Sequence, residues 1–259
     1  MRKTPKRNSD RIFFILEMLL ENRSMRFSEI HKESGIPKSS LHGLMNELVE
    51  LKVVYYDSVT KLYSIGFNFI QLSYKCISNI DILKVIDAAC LKLSRTIGET
   101  VHAAILTGTD ITYISKHEGE DKVSIINNIG MTLPAHATAI GKVLLSGYSN
   151  EELKELYKNK DLRHFTPNTI VSLDKLIEDI SKVRERGYAK EQGEVSLLAW
   201  CIGVPVRQND RIVTSISVTL PMSKHNEEYE GYIIEQLNKA KDELESIING
   251  QGFQENLYI

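Results

Sequence analysis

The 259-residue chain has few cysteines: Cys76, Cys90 and Cys201 are odd in number, far apart and without the paired spacing of a metal site. That excludes a disulfide framework and fits a reducing cytoplasm, where the protein is expected to act. No apolar run approaches the roughly 18 residues that a membrane-spanning helix needs, and no charged-then-apolar leader precedes a small-residue cleavage site. The chain also lacks H-E-x-x-H, a G-x-S-x-G elbow, a P-loop and a G-x-G-x-x-G fingerprint. Catalysis, a metal and a cofactor are therefore not expected. Cys201 with His102 or His136 remains a conceivable nucleophile–base pair, but a thiolate needs an activating neighbour.

What is present starts at residues 27–65, FSEIHKESGIPKSSLHGLMNELVELKVVYYDSVTKLYSI. The pattern predicts a short helix capped by Ser28 and ending at Gly35, a turn through Pro37, and a second helix from Ser39 or Ser40 to about Leu51. Leu41, Leu44, Met45 and Leu48 fall on one face of that helix; Ser39, His42, Gly43 and Asn46 fall on the other. Small and polar groups of this kind suit a duplex groove. Two helices around a short Gly-containing turn form a helix-turn-helix, whose second helix enters the major groove N-terminus first. Val53–Tyr56 and Lys61–Ile65, around Asp57-Ser58-Val59-Thr60, would make a two-stranded wing. The alternative is an ordinary αα-hairpin in some other core. The apolar helix Arg11–Leu20, with Ile12, Ile15, Leu16 and Leu19, supplies the third helix such a DNA-reading head needs.

Charge is divided unevenly. Residues 1–75 carry a net +4 and the remainder −6, giving −2 for the chain. The whole +4 sits in residues 1–11, where Arg2, Lys3, Lys6, Arg7 and Arg11 face only Asp10. A basic arm ahead of a helix-turn-helix suits phosphate or minor-groove contact, and it also suits a merely solubilising terminus. Non-specific attraction to DNA should depend strongly on this arm.

At 42% hydrophobic and 25% charged residues, the chain is globular with room for two domains. Gly66 ends the wing. Phe67–Ser78 reads as a connector helix whose apolar residues Phe67, Ile70, Leu72, Tyr74 and Ile77 pack across a dimer or within their own domain. Asn79 would cap a helix from Ile80 to about Thr96. Beyond it, Val101–Thr107 and Ile111–Lys116 flank Gly108-Thr109-Asp110, and Cys201–Arg207 and Arg211–Thr219 flank Gln208-Asn209-Asp210: two hairpins. Helices are predicted at Thr138–Ser146, Asn150–Tyr157, Ser172–Arg186 and Asn226–Asn249. Hairpins covered by helices, without the rhythm of a parallel sheet, give an α+β domain.

Several separate stretches, in order, resemble the IclR family of transcriptional regulators. In the head they are Ile36-Pro37-Lys38-Ser39-Ser40-Leu41-His42 and Tyr63-Ser64-Ile65-Gly66. Further on they are Gly98-Glu99-Thr100-Val101, Pro134-Ala135-His136-Ala137-Thr138-Ala139-Ile140-Gly141-Lys142, Arg186-Gly187-Tyr188-Ala189 and Cys201-Ile202-Gly203-Val204-Pro205-Val206. The resemblance implies a winged helix-turn-helix over 1–66, a connector helix over 67–79 and a GAF-like effector-binding domain over 80–259. It also implies a homodimer or dimer of dimers on double-stranded operator DNA, acting as a repressor rather than an activator. The expected DNA-contacting set is Lys38, Ser39, Ser40, His42, Gly43 and Asn46, with Lys61 in the wing and Arg7 in the arm. Two departures stand out. Gly43 occupies the place of the family's usual Arg, and Glu191-Gln192-Gly193-Glu194 that of an acidic run.

For the effector, Thr138 is a plausible N-cap of the helix that follows, which would leave the N–H groups of Ala139, Ile140 and Gly141 free to meet an anion. By resemblance, family members hold small organic or aromatic acids here, lined also by the positions of Glu191, Cys201, Ser215 and Ser217. Each has a plainer alternative: Cys201 as a buried core residue, the serines facing solvent, Glu191 solvating a loop. The remaining functional alternative is a ligand-sensing dimer that acts through a protein partner.

Overall fold

The computed structural model describes residues 7–78, 81–120 and 128–250; Arg2, Lys3 and Lys6 of the basic arm, and Asn79, lie outside them. The chain divides into two compact units, Met1–Ile80 and Asp81–Ile259.

The first unit holds α1 (Asn8–Asn22), β1 (Ser24–Arg26), α2 (Phe27–Ser34), α3 (Lys38–Glu50), β2 (Val54–Asp57), β3 (Leu62–Ile65) and α4 (Phe67–Ser78). Ile15, Leu16, Met18 and Leu19 of α1, Ile30 of α2, Ile36 of the turn and Leu41, Leu44, Met45 and Leu48 of α3 close one core. Apolar residues at helical spacing bury one stripe per helix and leave the other face to solvent. Gly35 ends α2 at φ 63, the left-handed geometry that glycine adopts without penalty. Ser28 does not cap α2, which starts one residue earlier. There the Glu29 carboxylate accepts the backbone N–H of Arg26 at 2.6 Å, the reciprocal half of a capping box. The wing is three-stranded, ordered β1-β3-β2, because Ser24–Arg26 pairs antiparallel with Leu62–Ser64. At its base, a Cβ on Gly66 would fall 2.2 Å from the Lys52 carbonyl oxygen, so only glycine lets the strands leave the wing there.

The second unit holds α5 (Asp81–Ile97), β4 (Thr100–Thr107), β5 (Asp110–His117), β6 (Thr132–Pro134), a 3-10 turn (Ala135–Ala137), α6 (Ala139–Leu145), α7 (Asn150–Leu156), α8 (Leu173–Arg186), β7 (Ala189–Gln192), β8 (Ala199–Gln208), β9 (Arg211–Pro221), a second 3-10 turn (Met222–Lys224) and α9 (Glu227–Gly250). The strands form one antiparallel sheet, ordered β6-β5-β4-β9-β8-β7. Both expected hairpins form, β4–β5 and β8–β9, the latter around Asn209 and Asp210 at φ 48 and 64. Helices α5 and α9 pack together on the sheet, and α6, which also meets α8, packs on strands of the same sheet. With helices over it, β8 is buried at nearly every position, which is why its sequence lacks the alternation of a half-exposed strand.

Candidate functional site

On α3, Lys38, Ser39, His42, Gly43 and Asn46 are exposed and Ser40 is half-buried. His42 is held from two sides. The Asn46 amide nitrogen lies 3.1 Å from its Nδ1, and the Phe27 ring, at the start of α2, lies 5.8 Å away centroid to centroid. Phe27 in turn meets Tyr63 of β3 at 6.5 Å, and Tyr63 meets Tyr56 of β2 at 4.6 Å. A chain of rings thus ties the exposed face of α3 to the wing. A Cβ on Gly43 would meet nothing within 4 Å, so no packing within the head demands glycine there.

The wing turn is braced by Asp57, whose carboxylate accepts the Val59 N–H at 2.8 Å and the Thr60 hydroxyl at 2.7 Å. These bonds favour the ionised form and hold the Asp57 carboxyl below its usual range. Lys61 follows at φ 59, exposed at the tip. Arg7 is exposed immediately ahead of α1.

In the second unit, a cavity of about 20 Å³ is lined by Tyr113, Leu133, Thr138, Ala139, Ile140, Glu191, Val195, Cys201, Ser217 and Thr219. The sheet register builds its floor. Glu191 pairs with Cys201 and Cys201 with Thr219, so the three stand side by side across β7, β8 and β9. Of the expected set, Ala139, Ile140, Glu191, Cys201 and Ser217 come together here. Gly141 and Ser215 do not line the cavity. The Gly141 N–H donates to the Thr138 hydroxyl at 3.0 Å, and a Cβ there would fall 2.2 Å from the Ala135 carbonyl oxygen. The Ser215 hydroxyl donates to the Val204 carbonyl at 3.0 Å. Thr219 was within reach of the sequence, two residues on from Ser217 on the same face. Tyr113, Leu133 and Val195 carried no local signal.

Glu191 is only 3% exposed, and burial pushes its carboxyl up to about 7 although the N–H groups of Glu194 and Val195 donate to it. Burial, reinforced by the Glu191 charge, lifts the Cys201 thiol well above its ordinary value. Burial depresses His102 to about 4. The Thr219 hydroxyl lies between the two, 3.4 Å from Cys201 Sγ and 3.5 Å from His102 Nδ1. His136 is engaged elsewhere, its Nε2 3.0 Å from the Arg163 carbonyl oxygen. A protonated thiol with no imidazole bonded to it is not an assembled nucleophile.

Sequence reading missed a second cluster entirely. Lys142 of α6 is 1% exposed. Its Nζ lies 2.9 Å from Asp179 Oδ2 of α8 and also pairs with the Glu194 carboxylate. The Thr169 hydroxyl holds the Glu194 backbone carbonyl at 2.7 Å. The segment that places Val195 in the cavity is thereby anchored to two helices. Among the described residues, no His, Cys, Asp or Glu group is arranged to hold a metal, and no helix is long and apolar enough to cross a membrane.

A winged helix-turn-helix head joined to an α+β domain with a small cavity of mixed lining defines a two-part transcriptional regulator. The chain belongs to the IclR family. Residues 10–58 match the IclR helix-turn-helix domain, and residues 74–246 match the bacterial transcriptional regulator IclR C-terminal domain. It is 32% identical over 206 residues to the HTH-type transcriptional repressor AllR of Salmonella typhi, covering 79% of this chain and 76% of the relative. The crystal structure of the Thermotoga maritima IclR superposes with a TM-score of 0.75 at 27% identity, over 93% of this chain and 98% of that one. An IclR homolog from Microbacterium hydrocarbonoxydans, complexed with 4-hydroxybenzoate, superposes with a TM-score of 0.83 at 20% identity, over 93% and 98%.

Proposed function

We propose that this chain is a cytoplasmic repressor that binds operator DNA as a homodimer or dimer of dimers and changes its hold when a small organic acid enters the second-domain cavity. The observation that carries the reading is the division of α3, whose apolar stripe fills the head core while Lys38, Ser39, His42, Gly43 and Asn46 stay exposed. Two such helices, one per protomer, enter successive major-groove faces of a pseudo-palindrome, with Lys61 and Arg7 on the backbone. The head spans 1–66, the connector 67–79 and the effector domain 80–259. Phe67, Ile70 and Leu72 are exposed on α4 and form the apolar surface that a second copy covers.

The chemistry of the cavity favours an acid. Thr138, Ser217 and Thr219 offer hydroxyls, and the first N–H groups of α6, those of Ala139 and Ile140, have no partner within the helix. Glu191, at about 7, is protonated often enough near neutrality to donate to a ligand oxygen rather than repel it. Ligand occupancy selects one of two arrangements of the heads.

The test is fluorescence anisotropy of the full chain on the duplex just upstream of its own reading frame, against random duplex, at two salt concentrations. Tight, competitor-resistant binding to the first supports the reading. No binding to either duplex at either salt would overturn it in favour of a sensor acting through a protein partner.

A further inference from the structure

We infer that Arg26 is a phosphate clamp for the sugar–phosphate strand that runs between the recognition helix and the wing. The inference rests on the DNA-binding reading of the head. With α3 in the major groove and the wing turn over the neighbouring groove, the strand dividing the two grooves must cross the protein between them. What lies there is the junction of β1 and α2. Phe27 marks the place, because its ring meets His42 of α3 on one side, at 5.8 Å, and Tyr63 of β3 on the other, at 6.5 Å. Arg26 is the residue before it. Across the sheet Arg26 pairs with Leu62, the neighbour of Lys61 at the wing tip. The strand alternates exposed, buried, exposed, so Met25 points into the core and Arg26 into solvent.

The charge at this junction is uncommitted. Arg26 bonds through its backbone, its N–H donating to Glu29 Oε2 at 2.6 Å, while its guanidinium has no hydrogen-bond or ion-pair partner among the described residues. The Glu29 carboxylate is turned onto that backbone N–H and does not neutralise the guanidinium. A guanidinium fits a phosphate in a fork of two parallel N–H···O bonds, and it remains charged at any working pH. Contacts of this kind set register and affinity without reading sequence.

The experiment measures binding of the full chain to two labelled 30-base-pair duplexes of unrelated random sequence between 50 and 200 mM salt, for wild type, Arg26→Gln, Arg26→Lys and Lys154→Gln. Lys154 is an exposed cation of α7 in the other unit and controls for net charge. Arg26→Gln should make the slope of log affinity against log salt shallower by about 0.9, equally on both duplexes. Its affinity should accordingly vary about 3-fold less than wild type over that salt range. Arg26→Lys and Lys154→Gln should keep the wild-type slope. Because Arg26 is exposed and its backbone N–H bond to Glu29 survives the change, the circular dichroism and thermal midpoint of Arg26→Gln should match wild type. A wild-type slope for Arg26→Gln, a loss confined to one duplex, or the same loss in Lys154→Gln would overturn the inference and leave the DNA-binding reading standing. Absence of salt-dependent binding by the wild type would remove both.

Discussion

The Asn46 side-chain nitrogen lies 3.1 Å from Nδ1 of His42, one turn back along α3. With the amide nitrogen donating, the neutral ring carries its proton on Nε2, the other ring nitrogen. His42 is then a fixed hydrogen-bond donor, suited to an acceptor on a base edge such as guanine O6 or N7. Removing either residue of the pair should lower discrimination by about 1–3 kcal/mol, roughly 5–150-fold in the ratio of operator to random-duplex affinity. The double variant should lose less than the sum, since Asn46 acts partly through His42. Anisotropy on both duplexes checks this. Equal weakening of both by His42→Ala would mean that the recognition face lies elsewhere.

Gly43 should be replaceable as far as the head's own stability is concerned. A helical glycine costs about 1 kcal/mol relative to alanine, and the space beside it is open. Gly43→Ala should therefore raise the denaturation midpoint of the head. Its DNA affinity then decides why glycine is there. Loss of operator binding in a stabilised protein would show close backbone approach to the duplex; unchanged binding would leave no role for the missing side chain.

The head was legible in the sequence because Leu41, Leu44, Met45 and Leu48 repeat at helical period, and period alone separates the core face from the exposed one. The third wing strand was not, since Ser24–Arg26 is too short to show alternation. The cavity was half legible. A threonine ahead of small residues announces a capped helix, and Thr138 does accept the Gly141 N–H. The rung of Glu191, Cys201 and Thr219 is set by strand register, which no local pattern reports. Lys142 is the sharpest case. A lysine in mid-helix reads as a solvated charge, and only the distant Asp179 and Glu194 make its burial tolerable.

Lys142→Met should consequently cost about 3–5 kcal/mol, because it strands the buried Glu194 carboxylate, with the partly exposed Asp179 beside it, rather than removing a whole ion cluster. Burial already raises the Glu194 carboxyl above its ordinary value against the pull of Lys142. Without the lysine it rises further. A carboxyl raised in the folded state stabilises below its unfolded value and loses that contribution as pH climbs through the folded one. The deficit of Lys142→Met in urea unfolding should therefore shrink as pH falls from 7 toward 5. A deficit independent of pH would mean that lost packing, not stranded charge, is the cause.

Glu191 obeys the same sign. Its carboxyl sits at about 7 folded against 4.5 as a free side chain, so it favours the folded state below about pH 4.5 and surrenders that contribution between there and about 7. The linkage is worth on the order of 3 kcal/mol. His102 runs the other way over an overlapping window: depressed to about 4 from 6.5, it supports the fold above 6.5 and costs stability as pH drops toward 4. In wild type the two partly cancel. Glu191→Gln, which keeps an oxygen for the Glu194 and Val195 N–H groups, should tip the balance toward the His102 trend, with thermal midpoints that rise more steeply from pH 5 to 7 than those of wild type. A profile parallel to wild type would show that Glu191 ionises freely, as an exposed carboxylate does.

Ala139 is the position at which to separate the two halves of the proposed mechanism. It is 1% exposed and lines a cavity of about 20 Å³, room for about one water centre. An organic acid must therefore displace side chains to enter, and a leucine side chain at 139 occupies the space it would use. Overpacking of this kind typically costs about 1–3 kcal/mol, which the second unit should absorb without unfolding. Ala139→Leu should bind operator DNA as wild type does and show no response to any acid that shifts wild-type binding. Thermal unfolding confirms that the domain is intact. A variant that folds normally yet loses DNA binding would show that α6 governs the heads through packing alone, with no need of a ligand.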